Sequence, residues 1–385
     1  MPAEDFLPFA VPDIGEDEIA AVAEAMRSGW LTTGPRAAAF EQEFAQVVGA
    51  RHAVAVNSAT AGLHLALEAV GVGPGDEVIV PTWTFTATAE VVRYLGADPV
   101  FVDVEPETLN IDLAAAERAI TPRTRAIVPV HFAGLGVSRI GLETLAAQHG
   151  VAVVEDAAHA FPTVSGGALV GSGTSAAVVF SFYATKTMTT GEGGMVVTDD
   201  DELAARVRTM RLHGISRDVF NRYRSDVPSW RYEVVAPGYK YNLTDPAAAM
   251  GRVQLQRSRS MRDRRAQIAM RYSVAFAGMP IQLPATAAEG DLHAWHLYVV
   301  RTEAGGRVDR DGFIAAMAAS GVGCSVHFIP LHKHPYWRDT YNLTDAMFPH
   351  ATAEFDRVVS LPIFSGMSTE QVDRVVTSVT EILRS

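Results

Sequence analysis

The sequence predicts an α/β fold, with a mainly parallel sheet packed between helices and a smaller α+β unit after it. Three observations predict it. Short apolar runs alternate with amphipathic helical stretches through the first two thirds of the 385 residues. Those runs are apolar without interruption, as strands covered on both faces are. From Asp245 to Phe276 the pattern gives way to one long helical stretch dense in Arg and Ala. A boundary is expected near residue 255, dividing the chain into a large unit, 1–255, and a small one, 256–385.

The elements follow in order. Asp17 to Ser28 reads as a helix closed by Gly29. Ala53–Val56 is a buried strand, and a helix runs from about Thr60 to Val70. Gly73-Pro74-Gly75-Asp76 has the composition of a turn, and Glu77–Val80 is the next strand. Pro99–Val104, Ala126–Val130, Val151–Glu155 and Val178–Phe182 repeat the pattern, and Gly194–Thr198 adds another strand. In the small unit His296–Val300 and Cys324–Phe328 read as strands with a helix between them. A last helix closes the chain.

An apolar content of 48% with 20% charged residues supplies ample material for a core. The net charge of −12 argues against a nucleic-acid partner, which would need a basic face. The single cysteine, Cys324, excludes internal disulfides and fits a reducing compartment. Met1–Ala10 shows neither the basic nor the apolar region of a secretory signal, and no apolar run approaches the ~20 residues of a membrane helix. A cytoplasmic protein is expected.

The chain holds only three lysines. One of them, Lys186, lies between the strand ending at Phe182 and the glycines of Gly191-Glu192-Gly193-Gly194. Arginine could supply positive charge there but not a nucleophilic amine. The position therefore suggests a Schiff base with a carbonyl, against the ordinary alternative of a surface lysine at a strand end. Asp156 ends the strand Val151–Glu155. A carboxylate there could keep a pyridine nitrogen protonated, or simply cap the next helix. Asn57-Ser58-Ala59-Thr60 opens a helix whose free N–H groups and dipole suit a phosphate, although plain capping is commoner. In Pro81–Thr86 an aromatic could stack on a flat ring or pack in the core. The Ser181 hydroxyl could meet a phosphate or face solvent. Each signal is weak singly. Together they put a phosphate cradle, an aromatic, a carboxylate and a lysine at four strand ends, where open α/β sheets bind ligands. Pyridoxal phosphate fits all four.

On Gly29–Pro35, Asn57–Leu65, Pro81–Ala87, Pro129-Val130-His131, Glu155–Ala160, Ser181–Met195, Pro237–Asp245 and His327–His332, the chain resembles the DegT/DnrJ/EryC1/StrS family of sugar aminotransferases, over essentially its whole length. The resemblance implies the fold-type I architecture of pyridoxal-phosphate-dependent aminotransferases, with a mixed, mainly parallel seven-stranded sheet. It implies that Lys186 forms the Schiff base and Asp156 pairs with the pyridine nitrogen. Phe85, rather than Trp83, would stack on the ring. Ala59, Thr60 and Ser181 would hold the phosphate. His159 stands where many relatives have glutamine, near the cofactor's phenolic oxygen. Asn242 would reach the phosphate bound by a partner subunit, so that a homodimer shares its active sites.

Substrate candidates by position in the matching segments are Trp30, Thr33, Tyr183, Arg231, Tyr239, Lys240, His327 and His332, with Lys240 and Arg231 suited to a diphosphate. His327, His332 and His334 lack a second shell of acids, and no metal is expected. Glu192 reads as a helix or turn residue without chemistry. The reaction implied moves the amine of L-glutamate to a nucleotide-linked keto sugar, with pyridoxamine phosphate formed in turnover. The run Ala184–Gly194 looks most like the branch that aminates C4 of dTDP- or UDP-4-keto-6-deoxyhexoses, and the product would serve amino-sugar biosynthesis. Amination of a C3-keto sugar or a keto-inositol is the alternative reaction; a pyridoxal-phosphate-binding regulatory protein without turnover is the alternative class.

Overall fold

The computed structural model describes residues 6–215 and 232–384. Helix α1 (Glu16–Arg27) starts where the Glu18 carboxylate turns back to accept the Gly15 N–H at 2.9 Å, satisfying a donor that a helix start leaves without a partner. Helix α2 (Pro35–Val48) is started from far along the chain. The buried carboxylate of Asp245 accepts the N–H groups of Gly34 at 2.7 Å, Ala37 at 3.0 Å and Arg36 at 3.1 Å. Pro35 in the first turn lacks the N–H that would otherwise compete.

The alternation then yields β1 (His52–Val56), helix α3 (Ala59–Ala69), β2 (Glu77–Pro81), β3 (Asp98–Val102), β4 (Thr124–Ile127) and β5 (Ala152–Asp156). A short hairpin of β6 (Val164–Ser165) and β7 (Ala168–Leu169) follows, then β8 (Ala177–Ser181) and β9 (Gly194–Thr198). Seven of these strands form one sheet in the order β1-β9-β8-β5-β4-β2-β3. All its pairings are parallel except those of β9, which runs antiparallel to both β1 and β8. The sheet is thus mixed and mainly parallel, and each predicted strand of the large unit overlaps one of these. Val54, Val80, Val154, Val179 and Val196, on β1, β2, β5, β8 and β9, are all inaccessible.

The helix Asp245–Phe276 runs from this sheet into a second core, where Tyr272 and Phe276 meet Tyr298 and Val300. The boundary expected at residue 255 falls inside this helix. Leu7, near the chain start, also packs into that core. The small sheet is antiparallel, in the order β10 (Ile281–Gln282), β11 (Tyr298–Thr302), β12 (Val358–Leu361). The expected strand Cys324–Phe328 is not one. A single bridge joins Ser325 to Ser360, and β12 takes the place beside β11. His327 and Phe328 turn instead toward the cavity described next.

Candidate active site

Four strand ends converge on a cavity of about 450 Å³. β1 leads into Ser58–Thr60, β2 into Thr84 and Phe85, β5 ends at Asp156, and β8 ends at Ser181, five residues before Lys186. The turn that carries Lys186 is held by the main chain of Phe182, whose N–H donates to Gly193 O at 2.9 Å and whose carbonyl accepts from Thr190 N at 2.9 Å. Lys186 N donates to Tyr183 O at 3.0 Å. The half-buried Lys186 lines the cavity.

Lys186 and Asp156 push each other's titration in opposite senses. Burial lowers the lysine to about 8, while the Asp156 charge works to raise it. Burial raises the Asp156 carboxyl above the usual range, against the Ala158 N–H, the Thr88 hydroxyl and the charge of Lys186. Thr88 donates to Oδ2 at 2.9 Å and Ala158 N to Oδ1 at 3.1 Å. A cation over this carboxylate would restore its ionised form. Behind it, Val137 N donates to His131 Nδ1 at 3.0 Å, so His131 Nε2 carries the proton it gives to Glu155 at 2.7 Å. The His131 and Asp156 main chains are tied by His131 N to Asp156 O at 3.1 Å. Asp156 is therefore fixed in place from both strand edges.

At the start of α3, Ser58 Oγ accepts the Ala61 N–H at 3.1 Å. This leaves Ala59 and Thr60 with N–H groups that have no intrahelical acceptor. The end of β9 comes so close that a Cβ on Gly194 would lie 2.8 Å from Ala59 N; only glycine admits that approach. Ser181 Oγ, beside this start, accepts from Tyr183 N at 3.3 Å. Phe85 stands 57% exposed on the cavity rim, 5.8 Å from the Phe328 ring. Trp83 is fully buried and donates Nε1 to His327 O at 3.1 Å. Phe85 is thus the aromatic open to a ring.

His159 lines the cavity with a buried Nδ1 that has no partner. Tyr183 and His327 also line it, and burial lowers His327 to about 4. Trp30, Thr33, Lys240 and Asn242 form a separate cluster. Trp30 Nε1 donates to Thr33 O at 3.1 Å, Asn242 Nδ2 to Thr33 Oγ1 at 2.7 Å, and Lys240 Nζ to Asn242 Oδ1. Asn242 bridges to Val56 at the edge strand β1. Tyr239 stacks on Tyr241 with centroids 5.0 Å apart. None of these five touches the cavity. His332 lies apart as well: it is buried, with Nδ1 against Thr82 Oγ1 at 2.8 Å and Nε2 against Thr352 Oγ1 at 3.0 Å. Its ring nitrogens are spent on joining two parts of the chain. Arg231 lies outside the described residues.

Glu192 and His296 line the cavity although the sequence reading gave neither a role there. The glycines around Glu192 were a usable signal, because they mark main chain packed against a site. His296, in a segment read as a strand start, offered none.

Pyridoxal phosphate fits what is present. The free N–H groups of α3 and the close approach of Gly194 suit its phosphate. A buried carboxylate raised by burial suits its ring nitrogen. The orphaned Nδ1 of His159 is a polar atom that a ligand would satisfy. Fold and cavity together define a pyridoxal-phosphate-dependent aminotransferase of fold type I.

Comparison with known proteins sharpens this. The DegT/DnrJ/EryC1/StrS aminotransferase family pattern matches residues 12–380, and the chain belongs to that family. It is 48% identical to the spore coat polysaccharide biosynthesis protein SpsC of Bacillus subtilis (strain 168) over 98% of this chain and 97% of that one. Among solved structures it is similar to the putative sugar aminotransferase Spr1654 from Streptococcus pneumoniae in its PMP-form, with a TM-score of 0.92 and 34% identity over 98% of this chain and 99% of that one. It is also similar to DesV of S. venezuelae, with a TM-score of 0.88 and 36% identity over 98% and 99% of the two chains. The enzyme is a sugar aminotransferase.

Proposed function

We propose that this enzyme transfers the amino group of L-glutamate to C4 of a dTDP- or UDP-linked 4-keto-6-deoxyhexose, as a homodimer whose active sites are shared. The observation that carries the reading is the meeting of Lys186 and Asp156 with the α3 start in one cavity. Bound pyridoxal phosphate supplies an aldehyde and a ring that withdraws electrons from the adjoining carbon. The Ala59 and Thr60 N–H groups and the Ser181 hydroxyl would hold the phosphate. Asp156 would keep the ring nitrogen protonated, and Phe85 would stack on the ring. Lys186, lowered to about 8, carries a larger uncharged fraction near neutral pH than a lysine in water; as the free amine it would take the donor's α-proton and deliver it to the cofactor's aldehyde carbon. His159 would lie near the phenolic oxygen.

The C4 assignment rests on the likeness of Ala184–Gly194 to that branch. The Thr33–Lys240–Asn242 cluster beside the edge strand β1, away from its own cavity, supports a role toward a second copy's site. The SpsC relative, named for spore coat polysaccharide biosynthesis, supports a role in making an amino sugar for a surface polysaccharide. In a direct assay L-glutamate should yield 2-oxoglutarate, and dTDP- or UDP-4-keto-6-deoxyglucose should sustain turnover. Turnover only with a C3-keto sugar or a keto-inositol overturns the C4 assignment. Absence of 2-oxoglutarate with every keto substrate favours a binding protein without turnover.

A further inference from the structure

His159 and His296 come from different parts of the chain and meet in the cavity wall, with ring centroids 4.3 Å apart and planes tilted by 40°. Each has a buried Nδ1 without a partner. Hydrogen bonds at Nδ1 therefore orient neither ring, and packing must. Phe328 stacks on His159 at 5.7 Å and Phe132 lies tilted at 6.3 Å, with His296, at 4.3 Å, the nearest of the three rings.

The main chain of His296 is unusually well anchored. Arg265, buried in the long helix, places Nη1 on the carbonyl oxygens of Trp295 and His296 at 3.3 Å each and of Ile363 at 2.7 Å. Burying a guanidinium against neutral carbonyls is costly, which marks a position whose geometry matters. On the other side lies Gly134, at φ +97°. A Cβ there would fall 2.9 Å from His159 O and 3.2 Å from His296 N. Ala294 N donates to Gly134 O at 3.0 Å, and Leu297 N to Ala133 O at 3.2 Å. The two histidines are thus brought together past one glycine, and His296 is pinned from behind by one arginine.

We propose that His296 is a positioning residue: held by Arg265 and Gly134, its ring fixes the tilt at which His159 meets the cofactor. This rests on the cofactor-binding role of the cavity and not on the identity of the sugar. Electrostatics agree with a stack of neutral rings. Burial first, then the charges of Lys186 and His327, hold His159 well below the usual histidine range. Burial first, then His159, Lys186, Arg265 and His327, do the same for His296. The acids that line the same cavity are Asp156 and Glu192.

Two substitutions separate positioning from direct contact. His296→Phe keeps a flat ring and removes no hydrogen bond at Nδ1. His296→Ala removes the ring. The readouts are the pH titration of the bound cofactor's absorbance band, taken without substrate, and the split of kcat from KM in the half-reaction with L-glutamate. His296→Ala should move the titration midpoint by about one pH unit and lower kcat about tenfold at unchanged KM, and His296→Phe should restore both to within about twofold of wild type. If the alanine variant does not fold, His296→Leu, bulky but not flat, gives the same contrast. A phenylalanine variant as impaired as the alanine one would mean that the nitrogen itself acts, and overturns the proposal. An alanine variant indistinguishable from wild type overturns it too. Failure of the sugar assignment would show separately, as wild-type enzyme that titrates normally yet aminates no 4-keto sugar.

Discussion

Lys186 and Lys240 are the same side chain placed in two different solvents. Lys240 is exposed beside the edge strand β1, where its ammonium donates to Asn242. Lys186 lines a cavity that also holds the buried carboxylate of Asp156, and burial lowers it to about 8. Both are rare residues in a chain with 32 basic side chains, of which only three are lysine. Rarity therefore says little. A lysine becomes a proton carrier when protein replaces the water that would keep it charged, and that replacement is made by the strand ends around it.

The contrast can be broken in order of expected effect. Lys186→Ala should lower transamination by about 10⁴-fold or more and abolish the absorbance shift of bound pyridoxal phosphate, read by spectrophotometry. Asp156→Asn removes the charge that keeps the ring nitrogen protonated, and kcat for the L-glutamate half-reaction should fall roughly 100-fold with the fold intact by circular dichroism. The pH dependence tests the solvent argument itself. The uncharged amine is the reactive form, so the rate at which apoenzyme captures pyridoxal phosphate should rise about tenfold per pH unit, then level off near pH 8. A rate still climbing at pH 10 would indicate a lysine in ordinary water. Lys240→Ala should leave the half-reaction within about twofold of wild type and raise KM for the nucleotide sugar about tenfold, the loss of one charged contact to a diphosphate. An unchanged KM would remove Lys240 from the sugar-nucleotide site.

The parts of this molecule written in local pattern were legible in its sequence, and the parts made by distant contacts were not. The uninterrupted apolar runs gave the sheet, and the helix Asp245–Phe276 lies where its pattern put it. Lys186 and Asp156 were legible because each follows such a run. Helix α2 escaped because its start depends on Asp245, far along the chain. Cys324–Phe328 has the composition of a strand, yet tertiary packing spends it on the cavity wall and leaves one bridge to the sheet. His332 sat in a matching segment, and only the fold reveals that Thr82 and Thr352 occupy both its nitrogens. His296 became visible only through Gly134 and Arg265, neither of which is near it in sequence.

Three lysines make one measurement decisive. Borohydride reduction of the enzyme loaded with pyridoxal phosphate converts the Schiff base into a stable secondary amine, which peptide mass spectrometry can locate. The cofactor's mass should be found on Lys186 alone, at close to one equivalent per chain. Label on Lys240, on Lys333 or on the amino terminus, with Lys186 unmodified, would contradict the central claim that the desolvated lysine between β8 and β9 carries the chemistry.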